Sequence, residues 1–133
     1  MAHKEDWRRV ERGEGSEAMP PLTPAVFHIL LALADGEKHG YAIMREVGSR
    51  TAGAVRMGPG TLYGSIQRML KDGLIVELRD RVDPAQSEER RRYYRLTDLG
   101  QRVLRAEAQR LEELVREARG KRILPGLGGV GGA

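Results

Sequence analysis

The chain has 133 residues, a formal charge of +4 and no cysteine. That length supports one domain with a modest core, and the missing cysteines exclude a disulfide framework and thiolate metal sites. The longest apolar stretch, around VFHILLALA, is far too short to span a bilayer, and residues 1–21 hold no apolar run of signal-peptide type, so the expectation is a cytoplasmic protein with no membrane partner.

Residues 1–21 are polar and unpatterned, carry the single Trp7, and are expected to form a flexible arm. Thr23-Pro24 then announces a helix, with a hydroxyl cap followed by proline where a missing N–H costs nothing. That helix is predicted to run to 34 and to stop at Asp35-Gly36. Val26, Ile29, Leu30 and Leu33 form one apolar face and Phe27, Leu31 and Ala34 a second, so it needs the core on one side and a partner subunit on the other. A second helix is predicted over 39–50, with Ile43, Met44 and Val47 inward. A third begins at Pro59 and runs to 71 on Leu62, Ile66, Met69 and Leu70, with Asp72-Gly73 as its stop.

LIVELRD and RRYYRLT read as two strands joined by the polar loop RVDPAQSEER, which makes a hairpin with a protruding tip. Tyr94 and Leu96 alternate with Tyr93 and Arg95 and are expected to face the core. Thr97 caps a last helix over 98–119. On it Leu104, Ala108, Leu111, Val115 and Ala118 recur at spacings of four and three, a coiled-coil seam with charged flanks. Little of the chain is left to cover that seam, so a second copy of the chain is the expected partner, with Val26 and Ile29 of the first helix assisting. Residues 120–133 are Gly-rich and expected to form a flexible tail. The fold class is therefore mainly α with a small β-hairpin: a winged helix-turn-helix domain over 22–97, followed by a dimerisation helix.

The basic excess is concentrated mid-chain. Residues 56–72 and 79–95 are each +2, whereas 97–119 are neutral, and clustered base is the footprint a phosphate backbone requires. In a winged helix the third helix is the reader. Its positions outside the core, Thr61, Tyr63, Gly64, Ser65, Gln67, Arg68 and Lys71, combine small and hydrogen-bonding groups near the N-terminus with Gln67 and Arg68, which suit base edges or phosphates. The glycines at 58, 60 and 64 remove bulk where a groove wall would stand. They do not form a P-loop, because no lysine follows at the GxxxxGK[ST] spacing. His3, His28 and His39 are scattered, and no Ser/His/Asp set or ligand cluster has recognisable spacing, so neither catalysis nor a metal or other cofactor is expected.

HGYAI (39–43), GPGTLYGSIQRMLKDGLI (58–75) and RRYYRLTDLG (91–100), in this order and together with LTPAVFHILLALADG (22–36), resemble the PadR family of transcriptional regulators over about residues 22–117. Many relatives have Pro where this chain has Gly64. The resemblance implies a homodimeric repressor of the short-tailed subgroup, binding double-stranded DNA at an inverted repeat. It places Tyr41, Thr61 and Tyr63 near DNA and Arg90, Arg91 and Arg92 at the wing. It leaves open whether a small-molecule effector exists. A module of another class also stays open: a dimeric ligand sensor or protein-interaction domain that uses the winged helix without specific DNA binding. RNA binding is disfavoured, because six aromatic residues are few for base stacking.

Overall fold

In a computed structural model of the chain, residues 21–55, 57–79 and 92–126 are described. The N-terminal arm, most of the wing loop with Arg90 and Arg91, and the Gly-rich end of the tail lie outside these residues. The element order is α1 (Pro24–Ala32), β1 (Lys38–His39), α2 (Gly40–Arg50), α3 (Pro59–Lys71), β2 (Ile75–Arg79), β3 (Arg92–Leu96) and α4 (Asp98–Gly120).

The three short helices begin and end where their local chemistry directs. Thr23 Oγ1 accepts from the Val26 amide and Pro24 opens α1. The helix stops two residues before the expected 34, because the Leu33 and Ala34 amides turn to carbonyls three residues back. His39 caps α2, its Nδ1 accepting from the Ala42 amide at 3.1 Å. α3 starts on Gly58 and Pro59 and ends at Gly73, whose φ of +78° suits glycine.

The sheet has the order β1-β3-β2, antiparallel throughout. β2 and β3 form the expected hairpin, with Glu77 opposite Tyr94 and Arg79 opposite Arg92. β1 was not expected. Its two residues pair with Tyr93 and Tyr94, and a strand that short carries no alternation of its own to announce it. Tyr94 is buried as expected, and burial pushes its hydroxyl pKa up.

One core joins α1, α2, α3, the hairpin and the first half of α4: Ile29, Leu30, Leu33, Ile43, Val47, Leu62, Ile66, Met69, Leu74, Ile75, Tyr94, Val103 and Leu104 are all buried in it. Two of the residues expected at a dimer interface are corrected by this. Ile29 is 0% exposed and Leu104 7% exposed within the single chain, so their side chains belong to the protomer's own core and offer a partner almost nothing. Periodicity had identified an apolar face on each helix correctly but not what covers it.

Thr97 ties the end of α3 to the start of α4. Its hydroxyl donates to the Gly73 carbonyl at 2.6 Å and accepts from the Gly100 amide at 2.9 Å, while its own amide donates to the Leu74 carbonyl. α4 therefore crosses directly over the backbone at Leu74. A Cβ on Gly100 would collide with the Leu74 carbonyl oxygen and lie 2.9 Å from the carbonyl carbon. α4 then runs for 23 residues, about 35 Å, buried on Val103, Leu104 and Glu107 and largely exposed beyond them. The chain turns back after it, with the Ile123 amide on the Ala118 carbonyl and Arg119 Nε on the Pro125 carbonyl.

Candidate nucleic-acid interface

With 100° between successive helical residues, burial of Leu62, Ile66 and Met69 fixes the outer face of α3. Gly60, Gly64, Gln67 and Lys71 form the crest, all exposed. Thr61, Ser65 and Arg68 lie on the flank toward α1, and Tyr63 on the flank toward α2. No carboxylate stands on α3 itself; Asp72 follows its last residue.

The glycines divide into two kinds. A Cβ at Gly58, Gly60 or Gly64 would meet nothing within 4 Å. Nothing among the described residues requires glycine there, although glycine within a helix, as at Gly64, costs about 1 kcal/mol relative to alanine. Gly40 is the opposite case: a Cβ would lie 2.6 Å from the Tyr63 hydroxyl and 3.0 Å from the ring carbon that bears it. Tyr63 therefore lies across the first residue of α2 and sets the separation of α2 from α3. It is half-buried, and its role in any DNA contact is limited to the exposed edge.

Tyr41 is 45% exposed in the first turn of α2. The Arg45 guanidinium sits 5.8 Å from its ring centroid, and the His39 ring packs edge-on against Tyr93 at 5.4 Å. An exposed phenol and a guanidinium therefore lie together at the start of α2. Arg92, at the base of the hairpin, shares a sheet face with buried Tyr94; its Nε is 3.9 Å from Glu77 Oε2 and is buried without a hydrogen-bond partner among the described residues. That burial and the Glu77 carboxylate limit its freedom to follow a DNA backbone.

A groove of about 440 Å³ separates α3 from the first turn of α1, with Thr23, Ala25 and Val26 on one wall and Gly60, Thr61, Gly64, Ser65 and Arg68 on the other. The α1 wall is fixed from behind by a buried carboxylate of α4. Glu107, 7% exposed on α4, accepts from the Leu22 amide at 3.2 Å and takes a two-pronged hydrogen bond from Arg110 at 2.8 Å on each oxygen. The Arg110 hydrogen bonds hold its carboxyl below the usual carboxylate range, burial opposing and the Leu22 amide assisting. Its signal was present: a lone acid three residues beyond Leu104 and four beyond Val103, on the inward side of α4.

The remaining dimer-interface candidates lie on the far half of α4 and in α1. Ala108 is exposed, Leu111 and Ala118 are half-buried and Val115 is 39% exposed; Leu114, not singled out before, is 51% exposed beside them. Val26 is half-buried in the groove wall. The two described histidines have structural partners: His39 caps α2, and His28 meets Arg50 through Nδ1 at 3.2 Å, its pKa lowered by burial and by that guanidinium. Among the described residues no cluster of three potential metal ligands occurs, and no helix is long and apolar enough to cross a membrane.

The comparisons agree with this architecture. Residues 29–106, more than half of the chain, match the model of the transcriptional regulator PadR-like family. A transcriptional regulator of Mycobacterium tuberculosis is 39% identical over 93 residues, 70% of this chain and 80% of that protein. Among solved structures, a transcriptional regulator of Clostridium thermocellum is similar at a TM-score of 0.59 and 27% identity, over 73% of this chain and 87% of that one. Bacillus subtilis PadR, solved in complex with operator DNA, is similar at 0.55 and 24% identity, over 64% of this chain and 46% of that one. The chain belongs to the PadR-like family of transcriptional regulators.

Proposed function

We propose that this regulator binds double-stranded DNA as a homodimer in the cytoplasm, recognises an imperfect inverted repeat, and represses transcription by occupying it. The observation that supports DNA binding is the outer face of α3: basic and amide-bearing through Gln67, Arg68 and Lys71, and bare at Gly60 and Gly64, where no contact among the described residues requires either glycine. A bare crest lets a helix settle close to base edges, and Gln67 is the side-chain type that pairs bidentately with adenine. Thr61 and the exposed edge of Tyr63 lie beside the crest, and Tyr41 and Arg45 at the start of α2 suit phosphates. The Bacillus subtilis relative is itself seen with operator DNA.

Homodimerisation is supported by the stripe Leu111, Leu114, Val115 and Ala118, which no described residue of the same chain covers fully. Two-fold pairing presents two copies of α3, so half-site centres should lie about 10 bp or a multiple apart.

The test is selection of bound fragments from the source genome, followed by footprinting and titration. Two symmetric protected half-sites, overlapping a promoter and reducing its output when occupied, are the expected result. An undivided asymmetric footprint contradicts the dimeric mode, increased output contradicts repression, and failure to enrich any fragment contradicts specific DNA binding.

A further inference from the structure

We propose that the groove between α1 and α3 seats one sugar–phosphate strand of the duplex, which makes the first turn of α1 part of the nucleic-acid interface. This rests on the DNA-binding reading above and adds to it a surface outside the recognition helix and wing. An α-helix with its side chains is about 10–12 Å across and the major groove of B-DNA about 12 Å wide, so a helix seated crest-first has a strand along each flank. The flank toward α2 is filled from within by Tyr63 lying over Gly40. The flank toward α1 is open.

The chemistry of the open flank fits a strand. Arg68 contributes a guanidinium that makes no hydrogen bond or ion pair with any described residue, and Thr61 and Ser65 contribute hydroxyls. Ala25 and Val26 offer a small apolar wall on which a deoxyribose can lie, and among the described residues no carboxylate lines the groove. A second copy of the chain is a poorer occupant. Two small apolar side chains facing bare glycine backbone give little to bury, and the more exposed apolar groups Leu114 and Val115 stand together on α4 instead.

Ala25 carries the test, because its effects on helix stability and on DNA binding have opposite signs. It lies in the first turn of α1, where an acid is favoured by the helix dipole and a base disfavoured. If a phosphate occupies the groove, Ala25→Asp should weaken binding to a labelled random-sequence duplex about five- to tenfold at low salt, although it stabilises the helix. Ala25→Lys should tighten binding by a similar factor and steepen the log–log salt slope by about 0.9, although it destabilises the helix. Neither should change the sedimentation of the protein. Lys71→Ala, on the crest outside the groove, serves as reference. If Lys71→Ala weakens binding while both Ala25 variants behave as the parent, the seat is wrong and the DNA reading stands. If the Ala25 variants alter the oligomeric state instead, the groove faces a second copy and the proposal is overturned. If the parent protein binds no duplex at any salt concentration, both fall together.

Discussion

At the junctions inside the domain, a methyl group on Gly100 would strike the Leu74 carbonyl, and one on Gly40 would press on the Tyr63 hydroxyl. On the outer face of α3, the same methyl on Gly60 or Gly64 would meet nothing within 4 Å. These glycines are indistinguishable as letters. The first two let elements approach each other, and substitution there should be felt in folding. The other two leave space on the outside, and on the present account substitution there should be felt in binding.

The largest expected effect is at the inner junction. Gly100→Ala forces α4 away from Leu74, and since the obstacle is backbone held by Thr97, relaxation is limited. We expect a loss of about 3 kcal/mol or more, at the upper end of overpacking, read by chemical denaturation. A variant as stable as the parent would mean that α4 does not cross so closely.

Next comes the far half of α4. Leu111→Glu with Val115→Glu places charge in the proposed seam while leaving the protomer core intact. The pair should sediment as a folded monomer and lose about 100-fold or more in operator affinity, because the second half-site is no longer coupled. A double variant that remains dimeric would remove α4 from the interface.

Smaller again is the link from α4 to the start of α1. Arg110 holds the folded-state pKa of Glu107 below its ordinary value of 4.5, so this carboxylate adds stability at neutral pH. That contribution is present above the ordinary value and is lost as the pH falls below it and through the folded-state pKa. Glu107→Gln should remove this acid-dependent part of the unfolding profile and cost on the order of 1 kcal/mol near neutrality. An unchanged profile would show that the carboxylate is not paired in solution.

Much of this comparison was legible in the sequence. Helical periodicity and the caps Thr23, Pro59 and Thr97 located the helices to within two residues, because those signals are local. The hairpin was legible from alternation, and Tyr94 was placed inward correctly. What was not legible depended on what packs against what. Ile29 and Val26 sit on one apolar face, yet only the assembled fold shows that Ile29 fills the core and Val26 a groove wall. β1 exists because β3 offers an edge, and neither Lys38 nor His39 announces a strand. Glu107 could be placed on the inward side of α4 from its spacing to Val103 and Leu104, but its bond to the Leu22 amide, 85 residues away, could not be read from the sequence. The glycines needed three dimensions to divide into two kinds.

The central claim is that the bare crest of α3 meets DNA, and Gly60→Ala tests it most directly. Its first-turn position has ordinary backbone geometry and an empty surround, so alanine should leave the unfolding free energy unchanged or raise it by up to about 0.5 kcal/mol. The added methyl should hold the helix off the duplex and forfeit roughly one direct contact, about 1–3 kcal/mol, or tenfold or more in affinity for the operator. The measurement is paired: chemical denaturation and operator titration on the same preparation. Stability retained with affinity lost is the predicted result. Stability and affinity both at parental values would contradict it, and would return the polar face of α3 to ordinary solvated surface.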